Sequence, residues 1–337
     1  MICARIWILP VRGVNRTIFV FALLVLAALL ALLGAVAFGS EPISRQQLIA
    51  VFGGGGEPLH RILVLELRAP RALAAFAVGG LLAVAGALMQ VLLRNPLADP
   101  YVLGLSGGAA VGALGAMFLG LGLLLVPTAA FGGALISALL VFGLAHGTGS
   151  WTPTRLLLTG VVVAAGWGAL ITLMLALSPA ERLPGMLYWL MGDLSYARSP
   201  WPAVTVLLLA CLVLLPAGRT LNVLARGPLQ AAALGVAVRP VEWGIYVLAS
   251  LLTAVAVTTA GSIGFVGLIV PHMLRLVLGN DQRVILPAAA LAGGVLLTVA
   301  DTVARTALAP EQLPVGVITA LLGVPTFLFL LHRSRAS

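Results

Sequence analysis

The sequence predicts an all-α polytopic membrane protein, with ten transmembrane helices and both termini cytoplasmic. Composition is the first observation behind this. Of 337 residues, 61% are hydrophobic and only 9% charged, and mean hydropathy is +1.15, whereas a soluble domain carries about 25% charged residues. So few charges cannot cover a water-facing surface, and lipid is therefore the solvent for most of the chain. The other two observations are a recurrence of long apolar runs and a lopsided distribution of arginine between them.

A span needs about 20 apolar residues, rising 1.5 Å each, to cross about 30 Å of hydrocarbon. Ten runs qualify: 18–38, 70–93, 103–121, 124–146, 156–177, 201–217, 241–260, 264–278, 284–304 and 313–331. The first follows Arg5, Arg12 and Arg16, and without a clear cleavage site it reads as a retained anchor rather than a signal peptide. Gly79, Gly80 and Gly86 mark the second, and Gly104, Gly107, Gly108, Gly112 and Gly115 mark the third. Glycines three or four apart leave one helix face almost bare, so a neighbouring helix can approach backbone to backbone. Between these two runs, Asn95–Pro96 and Asp99–Pro100 read as a rigid inner turn. The loop Trp151–Arg155 separates the fourth and fifth runs, and Gly218–Pro240 is the longest polar-leaning piece between spans. The eighth run is short and begins among glycines, which predicts a break or a re-entrant turn ahead of it.

Charge supports the same count independently. With the amino terminus inside, the cytoplasmic pieces hold twelve arginines against Asp99, Glu242 and Asp281, while the outer pieces hold seven arginines and seven acids. That asymmetry follows the positive-inside rule and favours an even number of spans with both ends cytoplasmic.

All 19 basic residues are arginine. A phosphate-binding loop of the G-x-x-x-x-G-K-[ST] type needs a lysine, so any ATP-driven function needs a separate motor subunit. The net charge of +9 is scattered singly between apolar runs, which argues against nucleic acid as a partner. Cys3 and Cys211 are far apart and read as small packing residues. His272 follows Pro271 in an apolar run, with no second ligand at metal spacing, and reads as a buried, backbone-bonded histidine.

Several stretches are more specific. QVLLRNPLADPYVLGLSGG at 90–108, LRAPR at 67–71, TRLLLTGV at 154–161, YWLMGDLS at 188–195, GSIGFVGLIVPHMLRLVLGNDQR at 261–283 and ADTVAR at 300–305 together resemble the FecCD-type permease family. These are the membrane subunits of ATP-binding-cassette importers for haem, ferric siderophores or vitamin B12. The resemblance spans about residues 17 to 332. It implies a single permease domain over 1–337, ten helices in the inner membrane, and a second permease subunit, most simply an identical one. It also implies two cytoplasmic ATPase subunits that consume MgATP, a periplasmic substrate-binding protein, and no permanently bound cofactor. Among cargoes, haem is slightly preferred.

Site residues follow from the same resemblance. Arg68 and Arg71, flanking Pro70, and Arg305, one turn beyond Asp301, match outward arginines that dock acids of the binding protein. A guanidinium suits that task because its planar fork pairs with carboxylates at any working pH. The competing reading anchors Arg68 and Arg71 at the head-group level and pairs Arg305 with Asp301 at i, i+4. Pro153 and Thr154 match a cytoplasmic gate, with the start of a helix as the other reading. The coupling segment 218–240, with Gly227, Pro228, Leu229, Gln230, Ala231, Leu234 and Gly235, matches the part that contacts the ATPase. Here the family's acid after glycine is missing, and Leu229–Val236 is expected as a short helix. An ion-gradient-driven secondary transporter is the alternative, since the break at Gly261–Pro271 resembles a broken-helix ion site. An intramembrane enzyme would need a polar constellation at depth, and His60, His146, His272 and His332 are too dispersed to supply one.

Overall fold

The computed structural model describes residues 14–122, 124–146, 152–197 and 199–334. In chain order its helices are α1 (Val14–Ala37), α2 (Arg45–Phe52), α3 (Pro58–Arg61), α4 (Ala69–Leu92), α5 (Leu105–Phe118), α6 (Leu125–His146) and α7 (Pro153–Leu177). These are followed by α8 (Leu183–Met191), α9 (Trp201–Leu224), α10 (Pro228–Ala233), α11 (Val238–Ala260), α12 (Val266–Leu278), α13 (Gln282–Thr306) and α14 (Val315–Ser334). Among the described residues, seven helices are long and apolar enough to cross a bilayer. Three shorter apolar ones are Leu105–Phe118, Val266–Leu278 and Val315–Leu330. Each of the ten expected runs falls on one of these helices.

Helix α4 is the axis of the bundle. Every residue from Ala77 to Leu92 is buried, under α13, α11, α12, α9 and α1. Its alanines and glycines make this possible, because helices in lipid are held by close packing rather than by exclusion of water. A Cβ on Gly86 would run into the Gly267 carbonyl of α12, and one on Gly79 into the Gly293 carbonyl of α13. The glycine face expected on the third run is also present, with Gly108 and Gly112 lying against Gly133 and Ala129 of α6.

Two departures from the ten-run reading matter for function. Gly104 lies beside Ser137 of α6 and Val163 of α7, and the Ser137 hydroxyl donates to its carbonyl at 2.8 Å. Ser137 is deep within α6, about 18 Å along the helix from Leu125. The connection after α4 therefore turns back into the bundle, and α5 begins at mid-depth. Its 14 residues cover only about 21 Å, so the run 103–121 does not cross as a full-length helix. The Asx turns that set this course are the expected ones: Asn95 accepts from the Leu97 N–H and Asp99 from the Tyr101 N–H.

The second departure lies ahead of α4. The run expected to begin at residue 70 is instead the later part of one 35-residue helix, Pro58–Leu92, π-helical over Ile62–Arg68. Pro70 has no N–H to donate back into that turn, and the wider π turn ends where it falls. The predicted break before the eighth run is present: residues 261–265 are irregular, with Gly261 at φ 69° and Phe265 at φ 70°. There the Tyr101 hydroxyl accepts from the Ile263 N–H at 3.1 Å, and Ser262 lies 3.4 Å from Ser106. The two irregular segments thus satisfy each other where lipid offers no partner.

Candidate functional site

Polar side chains gather at the two ends of the bundle. At one end, Arg68 donates to the carbonyls of Val36 at 3.3 Å, Ala37 at 3.0 Å and Glu41. Arg305 donates to the Ala35 carbonyl at 3.1 Å. Both arginines thus serve the last turn of α1, whose carbonyls have no helical partner and carry the negative end of the helix dipole. Asp301, fully buried, lies 3.0 Å from Arg305 Nε and accepts from Arg71 at 2.8 and 3.1 Å. Arg71 also reaches Gln312 at 3.0 Å and lies 3.8 Å from Asp193.

The structure therefore brings Arg68, Arg71 and Arg305 together, and it realises the i, i+4 pair of Arg305 with Asp301. It does not leave Arg68 or Arg305 standing free: they are 5% and 4% exposed. Sequence reasoning missed Asp193 and Gln312 as members. Asp193 stood in view inside YWLMGDLS, and its proximity to Arg71 depends on a tertiary contact that no spacing encodes.

At the opposite end, a cavity of about 760 Å³ lies among the ends of α4, α9 and α12 and the start of α13, with Arg94, Arg226, Arg275 and Arg283 in its wall. Asp281 caps α13 and accepts from Arg283 at 2.6 Å and Asn222 at 2.7 Å. The Arg283 hydrogen bonds hold its carboxyl well below the usual carboxylate range. Gln90, 4% exposed, accepts from Arg275 and donates to the Leu268 carbonyl at 3.1 Å.

At this same end Thr152 caps α7 by accepting from the Arg155 N–H at 3.3 Å. Pro153 occupies the first turn and Thr154 is exposed beside it, so the helix-start geometry is realised. In the 218–240 segment the short helix is Pro228–Ala233, shorter than the expected Leu229–Val236. Gly227 at φ 121° and Gly235 at φ 81° bracket it, with Gln230 and Ala231 between. Ala231 is buried, while Leu229 and Leu234 are 86% and 67% exposed. His272 is half-buried and makes no hydrogen bond among the described residues, which corrects the backbone-bonded reading. The same residues hold no group of three or more His, Cys, Asp or Glu placed to bind a metal. Of the two cysteines, Cys211 is a free, partly buried thiol, and Cys3 lies outside the described residues.

A helical bundle with backbone-close central packing, two mid-depth breaks and charged clusters at its ends fits a multi-pass membrane permease. Comparison with known proteins agrees, and the chain belongs to the FecCD transport family, whose model matches residues 23–333. It is 46% identical over 277 residues to the cobalamin import system permease protein BtuC of Halobacterium salinarum, covering 81% of this chain and 74% of that one. Identity to the hemin transport system permease protein HmuU of Yersinia pestis is 41% over 280 residues, covering 80% and 83%. To the Fe(3+) dicitrate permease FecD of Escherichia coli it is 39% over 303 residues, covering 88% and 93%. A solved structure described as an inward-facing metal-chelate type ABC transporter superposes with a TM-score of 0.80 at 31% identity, over 95% of this chain and 99% of the other. The chain is thus the multi-pass inner-membrane permease subunit of an importer for a metal-chelate type substrate. Permeases of this family are themselves non-catalytic and work with separate ATPase subunits and periplasmic substrate-binding proteins.

Proposed function

We propose that this subunit pairs with a second, identical copy and passes a tetrapyrrole-type metal chelate, haem or cobalamin, into the cytoplasm. Two cytoplasmic ATPase subunits hydrolyse MgATP, and a periplasmic binding protein delivers the cargo. Family membership over nearly the whole chain carries the reading. Haem is the expectation from sequence, and the cobalamin permease at 46% identity supports the corrinoid member of the same class.

Both termini and the end bearing Arg94 and α10 are cytoplasmic in this proposal, on the strength of the arginine asymmetry. Leu229 and Leu234 would enter a groove of the ATPase, an assignment supported by their exposure on, and just after, a helix anchored through Ala231. Pro153 and Thr154 would narrow the cytoplasmic end of the pathway. At the periplasmic end Arg71, in the Asp301 and Asp193 cluster, is our candidate for direct contact with the binding protein. The burial of Arg68 and Arg305 favours a role in shaping that docking face by fixing the end of α1.

The test is uptake of labelled haem, cobalamin and a ferric siderophore by the reconstituted complex, each with its binding protein. Uptake of haem or cobalamin is expected, and transport confined to the siderophore would refute the cargo class. Arg71→Glu should weaken binding-protein docking without dissolving the subunit pair, and unchanged docking would remove Arg71 from that role.

A further inference from the structure

We propose that the arginine-walled cavity at the Arg94 end binds a phosphate-bearing anion, supplied by the head group of an anionic phospholipid. The cavity is about 760 Å³, and among the described residues Asp281 is the one carboxylate in its wall. That carboxylate is committed to Arg283 through contacts of 2.6 and 3.0 Å. Arg94, Arg226 and Arg275 remain in the lining without a carboxylate of their own there. Glu242, on α11, is electrostatically coupled to Arg94 but stands outside the lining.

The three arginines are held in different ways. Arg275 is steered by the buried Gln90 amide and by the Ala87 carbonyl at 3.5 Å. These neutral acceptors orient a guanidinium without cancelling its charge. Arg94 follows the end of α4 at φ 48°, a left-handed position that glycine usually takes. Arg226 follows the end of α9, is exposed, and makes no ion pair among the described residues.

Guanidinium forks match phosphate oxygens in geometry as well as charge. The site lies where three apolar helices end, which is the depth of the head-group phosphates, and Val91 and Ala225 give it an apolar flank. Basic pockets between spans at the cytoplasmic surface are suited to anionic head groups. The assignment to the inner leaflet rests on the sidedness proposed above, whereas the anion chemistry does not.

The experiment uses the complete transporter, delipidated in detergent and then supplied with phosphatidylglycerol, phosphatidylcholine or inorganic phosphate. Bound species are read by native mass spectrometry, and cargo uptake plays no part in the readout. Wild type should retain phosphatidylglycerol over phosphatidylcholine by about tenfold or more, and millimolar phosphate should compete. The variant Arg94→Gln/Arg275→Gln, both outside the coupling segment, should lose the preference while eluting as an intact complex, and Arg155→Gln, outside the cavity, should keep it. Equal retention of the two lipids, or a preference surviving in the double variant, would overturn the proposal. Binding of inorganic phosphate without phosphatidylglycerol would overturn the lipid source. Loss of the ATPase subunits from the double variant with lipid retention unchanged would assign the cavity to a protein contact instead.

Discussion

Asparagine at position 301 would keep the side-chain shape and remove the carboxylate that Arg71 and Arg305 share. Asp301 accepts from Arg71 at 2.8 and 3.1 Å, stands 3.0 Å from Arg305, and is fully buried. Deleting one partner of a buried ion pair costs about 3–5 kcal/mol, because the other charge is left uncompensated. Asp193 lies 3.8 Å from Arg71 and the Arg71 side chain keeps 14% of its exposure, so the lower figure, about 3 kcal/mol, applies. At about 2 °C per kcal/mol for a large chain, the thermal midpoint of Asp301→Asn should fall by about 6 °C. Detergent-solubilised protein heated in steps and scored by size-exclusion chromatography gives that midpoint. Adding Arg305→Met removes the orphaned charge, and the double variant should recover at least about 1 kcal/mol relative to additivity. A midpoint for Asp301→Asn equal to wild type, or strict additivity in the cycle, would refute the shared-carboxylate reasoning.

Three further outcomes follow from particular contacts. Gly86→Val drives a side chain into the Gly267 backbone, which cannot swing aside, and should cost about 1–3 kcal/mol or more in the same heating assay. Gly34→Val, in open space, should leave the midpoint within about 0.5 kcal/mol of wild type. For Asp99, burial lifts the carboxyl from 3.8 to about 6, against the opposing pull of the Tyr101 N–H. Because the folded value is the higher one, its stabilising contribution is full below about pH 4 and is lost as pH rises through about 6. Asp99→Asn keeps the turn and removes that titration, so its stability should be flatter than wild type between pH 4 and 7, as followed by chemical denaturation across that range. Leu229→Asp, at an 86% exposed position, should leave folding untouched but reduce ATPase co-purification; full recovery of ATPase would remove Leu229 from the coupling surface.

The helices were legible in the sequence because lipid imposes a length and a composition on every span, and each of the ten runs lies on a helix. Glycine spacing was equally informative, since Gly86, Gly79 and Gly108 sit where a Cβ has no room. Depth was not legible. Asn95–Pro96 and Asp99–Pro100 announce a turn, but nothing in them says that the chain re-enters the bundle to start α5 beside Ser137. The arginines show the same gap. Their presence at one end followed from chain order, whereas their direction did not, because the unpaired carbonyls of α1 that draw in Arg68 and Arg305 lie 31 or 32 and 270 positions away in sequence. Likewise the helix begins at Pro58, twelve residues ahead of the apolar run that starts at 70.

The most direct test of the central claim is cargo accumulation in proteoliposomes, with this subunit alone compared against the subunit joined by its ATPase and binding protein. Accumulation should appear only in the complete assembly, require MgATP, and be indifferent to an imposed proton or sodium gradient. Accumulation by the lone subunit that follows such a gradient would contradict the account.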